Sequence, residues 1–188
     1  MDSTSHLRHI NVKTAAKEAR QWRAALVQAT DAATLARDFP RLSQDTHASR
    51  PIAALEWTAQ FQNRSDTSAQ PQAWLHLQAK AIVPLTCQRC LDEALISLAV
   101  DRWFRFEKDE DSAAAQDEWS EEDVLAMDQD LDVLELIEDE LLMAIPMIPT
   151  HERCPSAVRL QDQDSSGMDT EKKAHPFAVL SKLNRPAT

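Results

Sequence analysis

Three runs between residues 52 and 106 alternate apolar and polar side chains, and no other feature restricts the fold as much. Ile52 to Gln62 passes through Leu55, Trp57, Ala59 and Phe61, and Ala73 to Val83 passes through Trp74/Leu75, Leu77, Ala79 and Ala81. Ala94 to Phe106 passes through Ile96, Leu98, Val100, Trp103 and Phe104, with a bulge allowed near its end. A period of two places one set of side chains on each face of a half-buried sheet. Asn63 to Pro71 and Pro84 to Asp92 have the composition of connecting loops, so the runs predict an antiparallel meander of three strands or more.

A sheet with one apolar face needs a cover, and Leu131 to Cys154 provides the candidate. Asp132 is placed as an N-cap, with Glu135 three residues on completing a capping box. Leu134, Ile137, Leu141 and Ala144/Ile145 then recur at helical spacing. Glu135, Glu138, Asp139 and Glu140 are expected on the solvent side. Pro146 and Pro149 stop the helix and force an extended exit that carries His151 and Cys154.

The remaining segments are read more simply. Residues 1–13 suggest a strand-like opening through Leu7, His9/Ile10 and Val12. Thr14 to Thr30 reads as a helix with Ala15, Ala19, Trp22 and Leu26 on one side. Asp31 to Leu42 suggests a second short helix or turn, and Arg41 to Arg50 a loop. Residues 107–123 read as an acidic, alanine-rich loop, followed by a short edge strand at Val124 to Met127. The expectation is an α+β fold: an antiparallel β-meander packed against an amphipathic helix, with an N-terminal helix and a flexible C-terminal tail. It would form one domain over residues 1–155. Residues 156–188 would be a flexible linker and an apolar tail containing Phe177, Val179, Leu180 and Leu183.

Charge is unevenly placed. The formal net charge is -11, yet Glu107 to Glu140 alone holds 16 acidic residues and one lysine, a net of -15 that leaves the rest mildly basic. That balance disfavours a DNA-binding surface. The single glycine, Gly167, excludes a Walker loop, a dinucleotide fingerprint and a G-x-S-x-G elbow. With no apolar leader at the start and no stretch of about 18 apolar residues, no membrane association is expected and the expected compartment is cytoplasmic. No Ser/His/Asp set or carboxylate pair stands out, so no enzyme activity is expected.

Three cysteines fit a reducing compartment better than a disulfide scaffold. Cys87 and Cys90 form a Cys-x-x-Cys at the expected hairpin tip, where two thiolates can grip one zinc ion. With His151 and Cys154 the set becomes Cys3His, a closed structural site with no position left for substrate. The alternative is a group of reduced, half-buried thiols. A thioredoxin-like role would need the first cysteine at a helix N-terminus, which a hairpin tip does not offer. For the acidic run, a solvated connector stands beside a docking surface for a basic protein using Asp109, Glu110, Asp111, Asp117 and Glu118. The tryptophans, Trp57, Trp74 and Trp103 among them, are read as packing residues, with base stacking as the alternative.

The segments Leu85 to Leu91, Leu131 to Pro149 with His151 and Cys154, and Pro176 to Leu183 together resemble the YceD family of large ribosomal RNA subunit accumulation proteins. The motifs come in the family's order, while the residues before about 50 match loosely. The resemblance implies a bacterial cytoplasmic, non-enzymatic ribosome-biogenesis factor that supports synthesis or accumulation of large-subunit (23S) rRNA. Two mechanisms follow. In one, the chain binds a ribosomal or assembly protein through the acidic residues above and through Phe177 and Leu180. In the other it binds rRNA directly, with a structural zinc knuckle and with Arg89, Arg102 and Arg105 near the hairpin.

Overall fold

The computed structural model describes residues 4–44, 51–65, 71–127 and 129–155, the side chains of 43 and 44 excepted. The alternating runs form the three long strands expected of them: β2 (Ala54–Arg64), β3 (Gln72–Thr86) and β4 (Glu93–Glu107). They pair antiparallel in sequence order, with Trp57 opposite Ala79 and Ala79 opposite Val100. Leu55, Trp57, Ala59 and Phe61 share the buried face with Leu75, Leu77, Ala79, Leu98, Val100, Phe104 and Phe106.

Two further strands complete a five-stranded sheet of order β1-β2-β3-β4-β5. The first, β1 (Gln21–Val27), corrects the expected helix over 14–30. Helix α1 (Val12–Lys17) ends early, and Ala19 takes a left-handed φ of 50° that turns the chain into the strand. Ala15, Ala19, Trp22 and Leu26 fit a helical stripe, but Trp22, Ala24 and Leu26 equally fit a strand, and pairing with β2 decides between them. The strand-like opening is also corrected: a 3-10 turn at Ser5–Arg8 precedes a single bridge between Ile10 and Leu131. Helices α2 (Gln28–Asp38) and α3 (Pro40–Gln44) follow β1.

The acidic segment is not all loop. Residues Glu110–Asp117 form α4, capped by the Asp109 carboxylate on the Ser112 N–H at 2.9 Å. This helix is the crossover that lets β5 (Asp123–Ala126) lie parallel to β4, an arrangement that a tight turn cannot make.

Helix α5 (Val133–Met143) covers the apolar face as its stripe predicts, with Leu134, Ile137 and Leu141 fully buried. The Asp132 carboxylate accepts both the Leu134 and the Glu135 N–H at 3.0 Å. Two of its acids do not face solvent as expected: Glu138 is 3% exposed and Glu140 is 6% exposed. Glu138 is held by Arg41 Nε at 3.0 Å and by the Leu42 N–H at 2.8 Å, which ties α5 to α3. Glu140 faces Arg102, and burial raises its pKa above the usual carboxylate range despite that neighbour.

Candidate metal centre

Strands β3 and β4 end in a tight tip from Cys87 to Asp92. The Cys87 N–H bonds the Asp92 carbonyl and the Leu91 N–H bonds the Cys87 carbonyl, both at 2.9 Å. A glycine is the usual residue for such a closure, but here Leu91 adopts the left-handed φ of 64°, at a cost on the order of 1 kcal/mol. The exit from α5 runs back to this tip, and the Gln88 N–H donates to the Pro149 carbonyl at 2.9 Å. Residues 67 positions apart in sequence are thereby brought together.

The four donors read from sequence converge. Cys87, Cys90, His151 and Cys154 offer ligand atoms that all lie within 4.8 Å of one another, so they could hold a metal ion. Cys87 Sγ is 3.8 Å from Cys154 Sγ, and Cys90 Sγ is 3.4 Å from His151 Nδ1. A tetrahedral zinc with Zn–S of about 2.3 Å and Zn–N of about 2.0 Å sets donor–donor edges of about 3.8 and 3.5 Å, which these separations match. His151 Nε2 lies 2.9 Å from the Glu93 carbonyl. A carbonyl only accepts, so Nε2 carries the proton and Nδ1 turns its lone pair toward the thiols.

The electrostatics favour a cation. Burial opposes a charged Cys87, but the N–H groups of Cys90, His151 and Arg89 turn toward its sulfur and bring its pKa down to about 5. Cys90 moves the opposite way, to about 11, through burial and the neighbouring sulfurs of Cys154 and Cys87. The Cys87 thiolate also raises the pKa of His151. The pocket thus favours a thiolate at Cys87 and resists one at Cys90 beside the other sulfurs, the condition a divalent ion relieves. Arg89, a residue that sequence reasoning assigned to RNA, donates from Nε to Cys154 Sγ at 3.0 Å and from Nη2 to the His151 carbonyl at 2.9 Å. Its charge offsets the net negative charge of a Cys3His zinc complex.

The other proposed RNA-binding arginines are also engaged, and they are far from the tip. Arg102 pairs with Asp123, and Arg105 donates to Ser120 Oγ at 2.6 Å. Trp103 offers no free stacking surface: His76 stacks on it at 4.0 Å and the Arg64 guanidinium lies 3.8 Å from its ring centre.

The acidic residues proposed for partner binding divide into two groups. Asp109 caps α4, and Asp117 accepts the Val124 N–H at 3.1 Å, holding β5 in place. Glu110 and Asp111 at the start of α4 and Glu118 just after its end are exposed, as is the adjacent Trp119, which is 84% exposed and which sequence reasoning took for a packing residue. Nothing in its neighbourhood could have marked it, because an isolated tryptophan in an acidic run carries no periodicity. This surface lies at the β4 end opposite the metal centre, roughly 35 Å away along the strand. Phe177 and Leu180 lie outside the described residues. Among the described residues no helix is long and apolar enough to cross a membrane.

Comparison with known proteins gives one family. The model of the family described as large ribosomal RNA subunit accumulation protein YceD matches residues 75–184, a span that holds all four donors and α5. The Large ribosomal RNA subunit accumulation protein YceD of Haemophilus influenzae (strain ATCC 51907 / DSM 11121 / KW20 / Rd) is 30% identical over 105 residues, or 55% of this chain and 60% of that protein. The chain therefore spans about 60% of the length of the curated relative it matches. No solved structure matches.

Proposed function

The chain belongs to the YceD family, and from that premise we propose that it is a non-enzymatic cytoplasmic factor of ribosome biogenesis. It supports accumulation of large-subunit rRNA by binding a ribosomal or assembly protein, and it carries one structural zinc ion on Cys87, Cys90, His151 and Cys154. The family match over residues 75–184 is the observation that carries this reading. The donor set supports the structural role, since four protein ligands close a tetrahedral ion to substrate and make it a cross-link between the hairpin tip and the α5 exit.

A protein partner is favoured over direct rRNA contact by how the charged groups are used. Arg89, Arg102 and Arg105 are committed to Cys154, Asp123 and Ser120, leaving them poorly placed for phosphate. Glu110, Asp111 and Glu118, with Trp119 beside them, suit a basic protein segment, whose lysines and arginines can meet both carboxylates and the indole face. The test is a pull-down of the full chain at physiological salt with rRNA intact or digested. A large-subunit ribosomal or assembly protein retained after digestion supports the reading; capture lost on digestion overturns it in favour of rRNA. Elemental analysis of freshly isolated, untagged protein reads the zinc separately, and its absence removes that part.

A further inference from the structure

We propose that the metal centre is a redox latch, in which a peroxide converts Cys87 and Cys154 into a disulfide and expels the zinc while the hairpin tip stays tied to the α5 exit. The latch rests on the zinc reading above. Its basis is the choice of pair. Cys87 Sγ faces Cys154 Sγ at 3.8 Å across the two segments, whereas Cys90 Sγ stands against His151 Nδ1 at 3.4 Å. Cys87 is fully buried while Cys90 and Cys154 are both half-buried, so burial shields Cys87, and the Arg89 Nε at 3.0 Å from Cys154 Sγ is what singles out Cys154 as the sulfur oxidised first.

The steps balance with hydrogen peroxide as oxidant. The Cys154 thiolate sulfur attacks one peroxide oxygen, the O–O bond breaks, and hydroxide leaves and takes a proton from solvent. Arg89 Nε, 3.0 Å from this sulfur, supplies a positive charge beside the departing hydroxide. Cys154 is then a sulfenic acid. The Cys87 thiolate attacks the Cys154 sulfur, the S–O bond breaks, the S–S bond forms, and a second hydroxide leaves as water after protonation. In sum, two thiolates, one hydrogen peroxide and two protons give one disulfide and two waters. A zinc ion held by the four side chains would be left with only Cys90 and His151, too few to retain it. The new bond requires the sulfurs to close from 3.8 Å to about 2.05 Å. A Cys87–Cys90 disulfide would instead stay within the tip and leave the exit segment held by hydrogen bonds alone. The choice of pair therefore decides whether oxidation keeps or opens this end of the molecule.

The test uses the untagged full chain, purified without oxygen and with its zinc content measured first. Hydrogen peroxide is added with a chromogenic zinc chelator, and the disulfide is mapped by peptide mass. The expected result is about one zinc released per disulfide, a peptide joining Cys87 to Cys154, an alkylatable Cys90, and recovery of zinc binding after dithiothreitol. The Cys90→Ser variant keeps the pair and should give the same cross-link. Zinc present but retained, while glutathione in the same mixture is oxidised, overturns the latch and leaves the zinc reading standing. A Cys87–Cys90 bond or sulfonic acid in place of the predicted cross-link also overturns it. A freshly isolated protein without zinc overturns the metal reading and the latch together.

Discussion

Replacing Ile137 by Ala tests whether α5 is the element that completes the core. Ile137 is fully buried, on the stripe that closes the apolar face of the sheet. The substitution removes three carbon atoms, worth about 2.4 kcal/mol of transfer at about 0.8 kcal/mol each. A residual cavity of about 50–80 Å³, at about 24 cal/mol per Å³, adds about 1–2 kcal/mol. The expected loss is about 3.5–4.5 kcal/mol, or roughly 10 °C in Tm for a protein of this size. Urea unfolding of zinc-loaded protein measures it, with Leu141→Ala as a second case of the same size. Met143→Ala on the same helix is the control, because Met143 is 68% exposed and should change stability by less than about 0.5 kcal/mol. The exit that carries His151 and Cys154 follows α5 directly, so Ile137→Ala should also speed zinc loss to a chelator. If Ile137→Ala and Leu141→Ala each cost no more than Met143→Ala, the stripe does not face the core and the argument fails.

Zinc uptake at neutral pH should release protons, since Cys90 holds its proton up to about 11 and must surrender it to bind metal; calorimetry in buffers of different ionisation enthalpy reads the number, and affinity should fall as pH is lowered. Glu140→Gln should leave stability unchanged or raise it at neutral pH. Burial lifts the folded-state pKa of Glu140 above its unfolded value, so the charged form is the disfavoured one and wild type gains relative to the variant as pH falls toward about 4; a variant less stable than wild type at neutral pH but not at low pH would show Arg102 to outweigh desolvation. Combining Glu110→Gln, Asp111→Asn, Glu118→Gln and Trp119→Ala should weaken capture of a basic protein at low salt with unchanged far-UV CD. Asp109→Ala should instead lower thermal stability by removing the α4 cap, and equal capture by all variants across a salt series would remove the docking surface.

The long strands were legible because each carries its period over ten or more residues, too long for a helical pattern to imitate. Residues 14–30 misled for the opposite reason: Trp22 and Leu26 satisfy both periods, and only the presence of β2 alongside makes a strand. The Cys3His set could be read from residue type and spacing, but Arg89 could not, because its role depends on the return of the α5 exit to the hairpin tip. Burial of Glu138 was equally hidden. Its partner Arg41 lies 97 positions away, and an acid beside three others on a helix looks solvated until that contact exists. The helix in the acidic run lacked an apolar stripe to announce it. It forms because Asp109 caps it and β5 requires a crossover.

The order of the elements along the chain has a consequence for synthesis. Strands β2 to β4 are complete at Glu107, and α1, which packs on β2 and β3, precedes them, but the rest of their apolar face waits for α5, which ends at Met143. At about 5–20 residues per second, translation of the intervening segment takes roughly 2–7 s. During that interval α1 can already pack on β2 and β3, but the part of the nascent sheet that α5 covers lies open, and the Cys87–Cys90 half of the candidate metal centre has emerged without its other half. The segment synthesised in those seconds is the most acidic of the chain, so a strongly charged, self-repelling stretch follows the half-covered sheet out of the ribosome and opposes contact between neighbouring nascent chains.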